Sequence, residues 1–126
     1  MRQVIPVPDA PKPNGNYSHA VRAGNMLYVA GQIPLDAATG ELVPGGIEAQ
    51  TKQVFANIKT VLTAAGLDFK NVVKCYTYVD DIKNLPIVNQ FYVEHFPADP
   101  PARTSIQVAA LPKAAMVEIG VIAVFD

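Results

Sequence analysis

The sequence predicts an α+β fold, a mixed β-sheet with two helices packed on one face. Three observations lead there. Sixteen Val and nine Ile stand against seven Leu, and β-branched side chains suit a pleated sheet while losing rotamer freedom in a helix. Two segments nevertheless repeat their apolar residues at the helical period. Strands and helices alternate, yet no glycine-rich phosphate loop joins a strand to a helix, so a nucleotide-binding parallel sheet is not indicated.

Each element has its own signal. Residues 1–16 carry Pro6, Pro8, Pro11 and Pro13, then Asn14-Gly15-Asn16, which predicts an extended or looping lead-in. Residues 19–23 and Met26 to Ala30 read as two short strands, with Gly24-Asn25 as the hairpin turn between them. Gly31-Gln32-Ile33-Pro34 ends the second strand, because proline has no N–H for a ladder. A loop through Thr39-Gly40 and Pro44-Gly45-Gly46 follows. Over 47–65, Ile47, Val54, Ile58, Val61, Leu62 and Ala65 share one helical stripe, and Gly66 suits the residue after the helix end.

Residues 72–79 alternate. Val73, Cys75, Thr77 and Val79 are predicted on one face, and Lys74, Tyr76 and Tyr78 on the other. Asp81 or Asn84 suits the cap of a second helix with Pro86 in its first turn. Ile87, Phe91, Val88, Tyr92 and Phe96 form its apolar side, and Pro97, Pro100 and Pro101 end it. Residues 103–109 and 116–125 are the last two strands, joined around Leu111-Pro112-Lys113. Their simplest pairing is a hairpin that sets Glu118 across from Gln107.

The chain of 126 residues is the length of one domain, 1–126. Half of it is hydrophobic and 17% charged, which excludes disordered, collagen-like and coiled-coil classes. Ten Lys and Arg against eleven Asp and Glu give a net charge of −1, so no positive field exists to hold a nucleic-acid backbone. The single cysteine, Cys75, excludes an intrachain disulfide. The proline-broken N-terminus is not a signal peptide, and no apolar run reaches the roughly 18 residues of a membrane span. A cytoplasmic location is expected.

The last strand is apolar on both faces: Ile119, Val121 and Phe125 on one, Met116, Ile122 and Val124 on the other. Two helices cover one face. Either another subunit covers the second, which is the favoured expectation, or loops and the N-terminal arm do.

Few residues carry chemistry. His19, His95, Cys75 and the scattered carboxylates show no metal-ligand spacing, and no nucleotide motif occurs, so no metal or cofactor is expected. Cys75, on an apolar strand face, reads as a core thiol. Arg103 is one of three arginines and opens a nearly apolar strand, sharing a face with Ser105 and Gln107. A guanidinium there needs an anionic partner, either a ligand carboxylate taken bidentately or a structural carboxylate such as Glu118. Glu118 is the only charge in 114–125. Its apolar surroundings raise a carboxylate's pKa, which suits a general base acting on water, although a paired structural role would also account for it. Tyr17 follows the Asn14-Gly15-Asn16 turn and either places a phenol at the same mouth or merely packs.

Gly15-Asn16-Tyr17-Ser18-His19-Ala20, Gly31-Gln32-Ile33-Pro34, Pro101-Ala102-Arg103-Thr104-Ser105, and Leu111-Pro112 leading to Val117-Glu118-Ile119 occur in that order. In order, spacing and chain length they resemble the Rid (YjgF/L-PSP) family of reactive-intermediate or imine deaminases. The resemblance implies a chorismate-mutase-like α+β fold and a homotrimer whose sheets form a central barrel with sites between subunits. It implies that Arg103 binds a substrate carboxylate, that Glu118 activates water, and that Tyr17, Ala30, Gly31 and Ser105 line the site. The implied reaction is hydrolytic deamination of 2-enamine or 2-imine acids, such as 2-aminoacrylate or 2-iminopropionate, to a 2-keto acid and ammonia. Two positions depart from family members that act on 2-aminoacrylate: Ala30 replaces the usual Ser, and Ser105 a frequent Cys, so no thiol nucleophile stands there. The departures leave open a larger enamine such as an aminomuconate. The family also leaves open a ligand-binding, chaperone-like or RNA-directed role.

Overall fold

The computed structural model describes residues 1–126. The elements run β1 (Arg2–Val4), β2 (Ala20–Ala23), β3 (Met26–Gln32), α1 (Ile47–Ala64), β4 (Val72–Val79), α2 (Leu85–His95), β5 (Ala102–Gln107) and β6 (Val117–Val124). One mixed six-stranded sheet has the order β1-β2-β3-β6-β4-β5. Only β4 and β5 pair in parallel, with α2 as their crossover.

Both helices pack on one sheet face. Val54, Phe55, Ile58, Val61 and Leu62 of α1 join Val88 and Tyr92 of α2 in one core with Cys75, Val79, Val117, Ile119, Val121 and Ala123. Residues 117, 119, 121 and 123 of β6 are buried, whereas Glu118, Ile122 and Val124 are half-buried on the opposite face. That face is open and apolar: Tyr28 is 48% exposed, Tyr76 37% and Ile106 44%. The helices thus cover one face only, and the apolar second face of β6 is left to something other than the helices.

Four expectations need correction. The lead-in contains β1, which pairs with β2 before the first proline intervenes. β3 continues past Ala30 to Gln32 through a register shift against β6. The Gln32 amide is 4% exposed and bonds to the Ala30 carbonyl at 3.1 Å and to His19 Nδ1 at 3.2 Å. Val73 points away from Cys75, because β4 shifts register against β6 between Val72 and Lys74, and Val72 is buried instead.

The fourth correction matters most for the site. β5 and β6 form no hairpin; β4 lies between them. The segment from Val108 to Met116 instead carries the chain across β4, so that β6 closes the gap between β3 and β4. Glu118 is opposite Tyr78, not Gln107.

Candidate active site

The candidate residues fall into two groups that do not meet within one chain. The first gathers around Glu118 on the open face. Its carboxylate lies against Gly31, where the β3 irregularity brings the backbone of residue 31 close to β6. Asn14, Tyr17, Gly31, Ile33, Pro112 and Glu118 line a mouth of about 220 Å³. The Tyr17 hydroxyl donates to Asn14 Oδ1 at 2.7 Å and accepts from the Asn14 N–H at 3.3 Å, so the turn predicted from the sequence fixes the phenol. Ala30 lies just beyond Tyr17, in an adjoining cleft of about 600 Å³ that Tyr28 and Arg2 also line. Burial raises the Glu118 carboxyl above its ordinary value, because desolvation penalises the ionised form.

The second group lies at the far edge of the sheet. Arg103 pairs with Cys75 and therefore sits on the helix side of β5, with its guanidinium carbon 4.2 Å from the centre of the Tyr92 ring. Asn89, Tyr92, Val93, Phe96, Pro97, Pro100, Pro101 and Arg103 line a cleft of about 670 Å³. Ser105 follows on the same face, its buried hydroxyl without a hydrogen-bond partner; Asn89 Oδ1 is likewise unpartnered.

Arg103 and Glu118 lie two strands apart and three residues out of step. At ordinary sheet spacings that is about 14 Å between backbones. They also lie on opposite faces, which excludes a structural ion pair between them inside one chain.

The other candidates have packing roles. Cys75 is fully buried, and burial pushes its thiol up to about 11 despite the nearby Arg103. A thiol held protonated is not a nucleophile. His19 bonds through its ring nitrogens to the Pro11 carbonyl and the Gln32 amide. His95 bonds the Phe91 carbonyl at 2.8 Å and stacks 4.4 Å from Phe55. No group of three or more His, Cys, Asp or Glu gathers as a metal site, and no helix is long and apolar enough to cross a membrane.

Sequence reasoning missed two braces of the Glu118 mouth, both on α1. Asn57 donates to the carbonyls of Ile33 at 3.1 Å and Leu35 at 3.0 Å, fixing the segment that follows Gly31. Gln50 Oε1 accepts the Met116 N–H at 2.8 Å, fixing the entry to β6 two residues before Glu118. Both side chains are buried. Their signal was available: Gln50 and Asn57 interrupt the stripe of Ile47, Val54 and Val61 at helical spacing, and a polar residue on a core stripe must find a partner.

Comparison with known proteins gives the family. The family model described as endoribonuclease L-PSP matches residues 7–125. A RutC family protein of Pyrococcus horikoshii is 46% identical over 98% of both chains. The bovine protein named 2-iminobutanoate/2-iminopropanoate deaminase is 45% identical over 98% of this chain and 90% of its own length. Among solved structures, RidA of an Antarctic Psychrobacter superposes with a TM-score of 0.93 at 41% identity, covering 98% of this chain and 99% of that one. The YjgF gene product of E. coli gives a TM-score of 0.87 at 39% identity, covering 97% of this chain and 98% of that one. With a model match spanning nearly its whole length and relatives this similar, the chain belongs to the Rid (YjgF/L-PSP) family.

Proposed function

We propose that the protein hydrolyses small 2-imino acids, and their 2-enamine tautomers, to 2-keto acids and ammonia, in clefts where the β5 edge of one copy meets the Glu118 mouth of another. The observation that carries this is the split site: a burial-raised carboxylate beside Tyr17 on the open face, and a guanidinium without an anionic partner on the opposite side of the sheet. A second copy supplies each with what it lacks and covers Tyr28, Tyr76 and Ile106. A ring of three such copies is the assembly that the family resemblance implies. The deaminase name of the bovine relative supports the reaction.

The chemistry follows from the side chains. The enamine tautomerises to an imine with an electrophilic carbon. Arg103 fixes the substrate carboxylate through its bidentate fork. Glu118 takes a proton from water as the oxygen bonds to the imine carbon and the C=N π electrons pass to nitrogen, and it hands that proton to the nitrogen. It then takes the hydroxyl proton of the carbinolamine and delivers it to the amine as the carbonyl forms and the C–N bond breaks, so ammonia leaves and Glu118 is ionised again. Positioning and general-base catalysis suffice. Ser105, two residues beyond Arg103 on the same face, backs the clamp with a buried hydroxyl that a bound acid reaches only by a local shift, and Gly31 leaves the room in which Glu118 acts.

A larger enamine acid is the second candidate substrate, favoured by the cleft beside Ala30, into which a longer chain would extend past Tyr17. The test is ammonia and keto-acid release from freshly generated 2-iminopropanoate and from longer 2-imino acids. Release well above the buffer rate is expected. A rate equal to buffer for the whole panel would refute the deaminase function.

A further inference from the structure

We propose that Tyr92 is a positioning residue for Arg103, its buried ring serving as the platform that holds the guanidinium ready for a carboxylate. This rests on the proposed function only in taking Arg103 as the carboxylate clamp.

A long, exposed arginine at a sheet edge has many rotamers, and a clamp that must be ordered on binding loses affinity. Arg22 spends its Nε–H on the Gly24 carbonyl at 2.9 Å. Arg103 spends no N–H on any atom of the chain. What orders it is the Tyr92 face, 4.2 Å from its guanidinium carbon. Stacking uses the flat face of the guanidinium and leaves the in-plane N–H groups at its edge, and a bidentate carboxylate needs that edge. The two contacts are therefore compatible.

The platform is itself fixed. Tyr92 is 7% exposed, and its hydroxyl hydrogen-bonds to Oγ of Thr77, a fully buried side chain on the middle of β4. The ring meets Phe55 edge-on at 5.2 Å and stacks on Phe96 at 5.9 Å. Burial pushes the phenol well above its ordinary value, so the ring stays neutral across the physiological range. Pro101 and Asn89 flank the pair in the same cleft and define the side from which an anion arrives.

Three readouts test the proposal on the intact protein: the Arg103 Nε–H resonance, pyruvate binding by NMR titration, and turnover of 2-iminopropanoate. In the wild type, Arg103 Nε–H lies upfield of the Arg2 signal because of the Tyr92 ring current. Tyr92→Phe keeps that shift and binds pyruvate within about twofold of wild type, because the ring face carries the effect. Tyr92→Leu loses the shift and weakens pyruvate binding by about tenfold, the scale of a partly desolvated cation–π contact. It raises KM by a similar factor with kcat little changed, whereas a merely structural loss lowers the active fraction and leaves KM alone. A folded Tyr92→Leu protein that binds pyruvate as the wild type does overturns the proposal. So does a wild-type Arg103 resonance without a ring-current shift, a measurement that needs no variant to fold. Wild type that shows the shift and the variant dependence of pyruvate binding, but deaminates no imine, supports the platform and removes the deaminase function.

Discussion

A Cβ placed on Gly31 would stand 2.3 Å from Oε2 of Glu118. The carboxylate occupies the space that any side chain at position 31 would take. Gly31 is needed for this close approach and not for an unusual backbone angle, since its φ lies outside the left-handed region.

Gly31→Ala therefore displaces Glu118 rather than unfolding the chain. Turnover is expected to fall by about a hundredfold, the scale of a misplaced general base. Pyruvate binding, proposed to depend on Arg103, is expected to change far less. Steady-state kinetics and ligand titration on the one variant check both halves.

Glu118 also sets a pH signature. Its folded pKa is raised by burial above the ordinary 4.5. The protonated form therefore favours the fold, and this contribution is present at low pH and lost as pH rises through the folded value. Glu118→Gln is permanently neutral and keeps it. The variant is expected to melt higher than wild type at about pH 8, with the gain vanishing as pH falls below the ordinary carboxylate value. Its turnover falls by about a hundredfold, and the rise of wild-type kcat/KM on the acid side disappears with it. Melts and pH–rate profiles on the pair measure both.

Cys75 is expected to be dispensable for chemistry. Its thiol is fully buried and held protonated by desolvation, with a value of about 11. Native protein is expected to resist alkylation at about pH 8 and to react once denatured. Cys75→Ala costs about 1–2 kcal/mol of stability for the lost packing while keeping turnover per folded protomer. Alkylation by mass spectrometry and a rate corrected for folded fraction check this.

Much of the fold was legible because burial writes itself into periodicity. The α1 stripe, the Gly24-Asn25 hairpin and the β4 segment follow from local spacing. The alternation within β4 failed only at Val73, where a register shift is a property of the pair and not of either strand. The order of β5 and β6 was not legible for the same reason: local sequence cannot show that a strand will insert between two others. The site divides along this line. Arg103 and Glu118 stood out as charges on nearly apolar strands, and Tyr17 as a phenol after a turn, but the separation of Arg103 from Glu118 on opposite faces depends on that strand order. Tyr92 read as one more apolar position on α2, since the arginine it faces comes from another element.

Subunit complementation tests the shared site most directly. Arg103→Ala and Glu118→Gln each fold, because Arg103 is an exposed edge residue and glutamine keeps the shape of the half-buried glutamate. Each variant alone has every cleft defective. Unfolded together in equal amounts and refolded, they form mixed assemblies in which some clefts join an intact Arg103 from one copy to an intact Glu118 from the next. Random mixing in a closed ring makes about one cleft in four intact, so activity is expected to return to roughly a quarter of wild type. A refolded mixture no more active than the average of the two variants, with mixed assemblies shown by mass spectrometry, would contradict a site shared between copies.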